Sequence, residues 1–152
     1  MFRGAHALNL DAKGRLAVPV RFRQLLHDRC DGQVVVTIDR DDPALLVYPL
    51  PQWELIEEEL TNLPTLDEGA RALQRMLIGH ATECELDGNG RVLLPSTLRE
   101  YASVDKRVMV VGQGKKFEIW NEQIWNERRE VWRKKGKEGG EPLSARLGSL
   151  SF

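Results

Sequence analysis

Asp11, Lys13, Gly14 and Arg15 put an acid, two cations and a glycine within five residues, and Asp87, Asn89, Gly90 and Arg91 repeat the pattern 76 residues later. An aspartate followed four residues on by an arginine suits either proton transfer assisted by a cation or the presentation of a guanidinium to a polar ligand. Catalysis is the poorer fit. No histidine accompanies the two copies at fixed spacing, no serine or cysteine has an evident base, and no Gly-x-x-x-x-Gly-Lys-Ser/Thr phosphate loop occurs. His6, His27 and His80 are isolated and lack metal-ligand spacing, and Cys30 and Cys84 form no Cys-x-x-Cys pair. The chain is expected to be no enzyme, to hold no metal or cofactor, and to lack a small-molecule substrate.

Recognition fits better. Aspartate at the start of a turn accepts hydrogen bonds from backbone amides two residues on, and glycine supplies the positive φ of a tight reversal. A tip with Lys13 and Arg15 on either side of a side-chain-free Gly14 is narrow enough to enter a major groove about 12 Å wide, where arginine donates two hydrogen bonds to guanine and Lys13 suits phosphate or guanine. In the competing reading, Asp11 and Arg15 form an ion pair that only closes the turn, and for Asp11 and Asp87 this structural role is preferred. The copies differ in charge. Residues 1–23 hold Arg3, Lys13, Arg15, Arg21 and Arg23 against Asp11 alone, a net +4, whereas residues 80–99 carry a net −1 and have Asn89 in place of Lys13. A turn needed for shape alone gives one copy no reason to gain those cations, so the first copy reads as the polyanion contact.

Sequence repeated at a fixed offset implies a repeated structural unit. Each copy reads as strand, Asp-x-x-Gly turn, short strand, then a helix opened by Pro19 or Pro95, because proline pre-sets φ for a first helical turn. Ala5 to Leu10 and Arg15 to Val18 are expected to pair as a hairpin, followed by a helix to about His27 with Phe22, Leu25 and Leu26 buried. Gln33 to Ile38 and Ala44 to Tyr48 read as strands, matched by Arg107 to Val111 and Lys116 to Trp120. Trp53 and Trp125 lie at an offset of 72 in the helices that end each copy, and Asp67 is expected to cap a linking helix. The basic run Arg128 to Lys137 near a helix C-terminus is favoured by the helix dipole whatever its role. The boundaries follow as a first repeat at 5–60, a linking helix at 61–79, a second repeat at 80–135 and a C-terminal tail at 136–152.

With 41% hydrophobic and 30% charged residues the chain has an ordinary globular composition, and its net charge of −1 argues against a uniformly basic nucleic-acid binder. The sequence shows no signal-peptide pattern and no run near the roughly 18 apolar residues of a membrane helix, so no membrane partner and a cytoplasmic location are expected. The two cysteines are expected to sit reduced in the core.

Met1-Phe2-Arg3-Gly4, the tandem Asp-x-x-Gly-Arg motifs, Tyr48-Pro49-Leu50-Pro51-Gln52-Trp53 and Gly79-His80-Ala81-Thr82-Glu83-Cys84 resemble the MraZ family of bacterial transcriptional regulators. The resemblance covers nearly the whole chain. It implies an α+β, mainly β fold: tandem SpoVT-AbrB domains whose swapped hairpins interlock in a double-psi-type barrel, with peripheral helices. It also implies a ring-shaped homo-oligomer that binds double-stranded DNA at repeated G-rich boxes, represses a division and cell-wall gene cluster and associates with the nucleoid. The family's Asp-x-x-x-Arg signature falls on Asp11 and Arg15 and on Asp87 and Arg91. The candidate DNA contacts are therefore Lys13, Gly14, Arg15, Arg3 and Arg91, with Asp11, Asp87 and Gly90 structuring the loops. A ring-forming protein-interaction scaffold is the alternative.

Overall fold

A computed structural model describes residues 1–137 of the 152. Met1–Glu122 forms one compact unit and the chain from Gln123 onward a second, each described by itself. The first repeat supplies β1 (Ala5–Asn9), β2 (Arg15–Ala17), α1 (Val20–Cys30), β3 (Gln33–Ile38), β4 (Ala44–Pro49) and α2 (Leu50–Thr61). After the linking helix α3 (Glu68–Leu77), the second repeat supplies β5 (Thr82–Glu85), β6 (Arg91–Leu93), α4 (Ser96–Tyr101), β7 (Arg107–Gly112), β8 (Phe117–Asn121) and α5 (Glu122–Lys137). The fold is α+β and mainly sheet.

The local signals act as their chemistry dictates. Pro19, Pro49 and Pro95 each stand just before a helix with φ between −51° and −56°, the value a pyrrolidine ring imposes. Asp67 caps α3 by accepting hydrogen bonds from the amides of Gly69 and Ala70. Helix α1 runs three residues beyond the expected His27, because Asp31 turns left-handed at φ 55° and donates its N–H to the carbonyls of His27 and Leu26. Phe22 and Leu26 are buried on it, but Leu25 is only half-buried. Helix α5 continues through Gly136 and Lys137, two residues into the expected tail; the rest of that tail lies outside the described residues.

Strand pairing departs from the expected local hairpin. β1 forms no ladder with β2; it runs antiparallel to β7, from Ala5 opposite Val111 to Asn9 opposite Arg107. β2 pairs with β6 instead, Arg15 opposite Leu93 and Leu16 opposite Val92. In the same way β5 pairs with β3. The result is an open six-stranded antiparallel sheet, ordered β1-β7-β8-β4-β3-β5, and a separate two-stranded ribbon β2-β6. Three-residue strands bury little on their own, and exchanging partners lets Leu16 and Val92, at 0% and 1% exposure, enter a core common to both repeats.

That core draws Phe2, Leu16, Phe22, Val34 and Val36 from the first repeat and Val92, Leu94, Leu98, Val108 and Phe117 from the second. Phe2 meets Phe22 and Phe117 edge-on at 5.1 and 5.3 Å between centroids. A second cluster of Val35, Leu46, Tyr48, Trp53 and Leu60 lies on the opposite face of the sheet under α2 and α3. The free cysteines Cys30 and Cys84 are half-buried against the main core. Among the described residues no helix is long and apolar enough to cross a membrane.

Candidate nucleic-acid interface

The two Asp-x-x-Gly-Arg turns are built alike. In the first, Asp11 N–H donates to the Arg15 carbonyl at 3.0 Å and Gly14 N–H returns to the Asp11 carbonyl at 3.0 Å. Asp11 Oδ1 accepts the amides of Lys13 and Arg15 at 2.9 and 2.8 Å, and its Oδ2 accepts Arg15 Nε at 2.6 Å. In the second, Asp87 Oδ1 accepts the amides of Asn89 and Arg91 at 2.9 Å each, and Oδ2 accepts Arg91 Nε at 3.2 Å. Each aspartate is thus both the staple of its turn and the clamp on its arginine. The Arg15 amide, foremost, with the Arg15 guanidinium and the Lys13 amide, holds the Asp11 carboxyl below the ordinary carboxylate range against partial desolvation. Asp87 is lowered too, first by the amide of Arg91 and then by that of Asn89.

Exchanged pairing brings the turns together. Because successive side chains on a strand alternate, Leu16 and Val92 point inward while Arg15, Ala17, Arg91 and Leu93 share the outer face of the ribbon. Arg91 Nη1 comes within 3.9 Å of Asp11 Oδ2, the carboxylate oxygen that already holds Arg15. Two guanidiniums from different repeats therefore surround one carboxylate. The two turns make one surface.

Gly14 has the positive φ expected of the turn, and the structure adds a second reason for a glycine there. It is buried at φ +84°, and a Cβ there would lie 2.6 Å from Arg99 Cζ. Gly90, also buried and at φ +73°, faces Arg23 in the same way, its Cβ falling 2.0 Å from Arg23 Cδ. Neither glycine is a bare outward tip; each lies under an arginine from the other repeat. Arg23 Nε donates to the Val18 carbonyl at 2.8 Å, and Arg99 Nε to the Leu94 carbonyl at 3.0 Å. The sequence signal was present, since both arginines end the repeated motif at identical spacing.

Arg3 is not brought to this surface. Phe2 bridges to Gly114 and Gly4 accepts from Gly112, so Arg3 sits beside the β7-β8 turn. The five residues of β1 then separate it from Asp11, roughly 14 Å of extended chain for the strand alone. The +4 count of residues 1–23 is accordingly spread along the molecule. Lys106, which the motif gives no means of finding, is at the turn end: its carbonyl accepts the Leu10 amide at 2.8 Å. Lys13 is exposed, and among the described residues nothing engages its ammonium. The basic run of α5 belongs to the second unit, where Arg133 pairs with Glu130 at 2.9 Å.

The histidines lie apart. His6 packs its ring against Phe22 at 5.3 Å, and His80 Nδ1 is 2.7 Å from the Met76 carbonyl. Among the described residues no group of three or more histidine, cysteine or carboxylate side chains could hold a metal ion.

A family model described as "MraZ protein, putative antitoxin-like" matches residues 1–76 and again 77–133. A protein named Transcriptional regulator MraZ in Thioalkalivibrio sulfidiphilus is 57% identical over 152 residues, the full length of both chains. Proteins of the same name in Pseudomonas aeruginosa and Methylococcus capsulatus are 63% identical over 126 residues, 83% of each chain, and 50% identical over 153 residues, the full length of both.

Proposed function

The chain belongs to the MraZ family, and from that premise we propose that it regulates transcription by binding double-stranded DNA through the paired turns of β2 and β6. The observation that carries this reading is the convergence of Arg15 and Arg91 on Asp11, with Lys13 exposed beside them. Asp11 engages Arg15 through Nε, which leaves the terminal donors of the guanidinium to face a guanine edge in the major groove. A carboxylate next to a polyanion would repel it; neutralised by two arginines, Asp11 instead fixes their directions. Phosphate contacts fall to Lys13 and the cations flanking the turn, and these fix register while the arginines read sequence.

The finer reading follows the resemblance. The target is a set of repeated G-rich boxes upstream of the division and cell-wall gene cluster that includes the chain's own gene, the effect is repression, and the binding form is a homo-oligomeric ring on the nucleoid. The exchange of β1 and β2 between repeats supports the AbrB-like swapped-hairpin, double-psi-type barrel for the same reason: one chain pairs internally what two single-copy chains would have to exchange.

The test is a gel shift with DNA taken from upstream of the coding sequence, run with the wild-type chain and Arg15→Ala. The wild type shifts this fragment in preference to a scrambled one. Arg15→Ala loses that preference while its oligomer size and circular dichroism stay the same. A normal shift by Arg15→Ala removes the site assignment, and a wild type indifferent to any duplex returns the scaffold reading.

A further inference from the structure

We propose that Arg99 and Arg23 are crossed positioning residues, each ordering the recognition turn of the repeat to which it does not belong. The contacts run in closed pairs. Arg99 Nε donates to the Leu94 carbonyl at 3.0 Å, the Leu94 amide donates to the Gly14 carbonyl at 3.1 Å, and the guanidinium covers the Gly14 Cα so closely that a Cβ would have no room. Reciprocally, Arg23 Nε donates to the Val18 carbonyl at 2.8 Å, the Val18 amide donates to the Gly90 carbonyl at 3.1 Å, and the guanidinium covers Gly90. Arg23 Nη1 also reaches the Asn89 carbonyl at 3.5 Å. Each guanidinium is held in its own repeat and pressed on the other, so the first turn is ordered from the second repeat.

Geometry explains why arginine is used. A planar group fixed by Nε can lie flat against a glycine while its edge hydrogen-bonds a carbonyl; a lysine ammonium, a point charge on a flexible stem, cannot do both. Both arginines are half-buried, so the contact is sheltered from water. The effect on DNA rests on the reading above: a turn that loses its cover presents Lys13 and Arg15 over a wider range of positions, and a displacement of the guanidinium weakens base discrimination more than it weakens phosphate attraction.

Amide hydrogen exchange tests the ordering without DNA. Arg99→Lys raises exchange at the amides of Lys13 and Arg15, which Asp11 protects, and leaves those of Asn89 and Arg91 unchanged; Arg23→Lys does the reverse. The amide of Val36 in β3 reports whether the fold is intact. Arg99→Met, which keeps the apolar stem and loses the guanidinium without touching the turn's backbone, raises exchange at the Lys13 and Arg15 amides as well, so the proposal stays exposed to failure if Arg99→Lys unfolds. Exchange that rises in the substituted arginine's own repeat, or in neither, overturns it.

Binding adds a second readout. In Arg99→Lys the preference for the box over scrambled duplex falls by about tenfold, within the range one base contact supplies, while the slope of log K against log salt is unchanged. A slope smaller by about one in Arg99→Gln, which removes the charge that Arg99→Lys keeps, with unchanged exchange would make Arg99 a phosphate contact and overturn the proposal. A wild-type chain without specific DNA binding would remove the functional reading and leave the exchange pattern to be judged alone.

Discussion

At the scale of single residues, the site works by assigning one carboxylate two duties. Asp11 closes the turn through its backbone partners and aims Arg15 through its second oxygen, while Arg91 approaches the same oxygen from the other repeat. Losing an arginine that pairs with guanine costs about 1–3 kcal/mol of discrimination per contact. Arg15→Ala is therefore expected to lower box-specific affinity by about 5- to 150-fold per engaged subunit. Lys13→Ala weakens specific and scrambled duplex alike, as a phosphate contact does. Arg91→Ala is intermediate, and Arg3→Ala is nearly silent because β1 holds it away from the turns. Fluorescence anisotropy with box and scrambled duplexes checks the order; a loss for Arg3→Ala as large as for Arg15→Ala would break it. The pH response has a definite sign. The Asp11 and Asp87 carboxyls are lowered in the fold, so the order they give is complete above the ordinary aspartate value of about 3.9 and is lost as pH falls through the lower folded value. Carbon-detected titration should find both midpoints below 3.9 and turn amides unchanged between pH 5 and 8; a midpoint above the ordinary value contradicts the staple.

At the scale of elements, neither repeat completes its own core. β1 finds its partner in β7, β5 in β3, and β2 in β6. Phe117, at 0% exposure, packs on Phe2 and Phe22 from the other repeat. Phe117→Ala is expected to cost about 3–5 kcal/mol of unfolding free energy, read from a urea melt. The loss should appear as one cooperative transition; two separate transitions would mean that the repeats fold independently. This interdependence was only half legible. The period, the proline-opened helices and the Asp67 cap are local properties of the chain, and the sequence expressed them. Partner choice is not local: Leu16 and Val92 have the same apolar character, and nothing in three residues says which strand they will face. For the site, the turn-closing aspartates and their pairing with Arg15 and Arg91 could be read from spacing. The cover over Gly14 could not, because a glycine that needs positive φ and a glycine under a guanidinium look the same in sequence. Arg3 lies apart from the turns, and the sequence hid this for a simpler reason, since summing charge over residues 1–23 ignores the strand that separates its ends.

For the whole molecule, the small net charge sets the terms of binding. A chain of net −1 gains little from general attraction to a polyanion, and on the proposed reading its contact with duplex rests on the few cations around the paired turns. One subunit should therefore bind one box weakly and with a shallow dependence on salt. Linked sites raise apparent affinity by about 10² to 10⁴ when geometry allows them to engage together. In a head-to-tail assembly every copy of the paired turns faces the same way around the ring, and such an array matches boxes repeated in one direction rather than inverted. Duplexes carrying one, two and four boxes, titrated at several salt concentrations, separate these contributions. Affinity should rise with box number, and the slope of log K against log salt should steepen roughly in proportion, because each added subunit releases its own set of counterions. Reversing alternate boxes should return binding to the single-box level, since neighbouring turns would then meet the groove in the wrong orientation. If one box bound as tightly as four, or if reversed boxes made no difference, the subunits would not be acting as a directional array, and the affinity would have to come from within a single pair of turns.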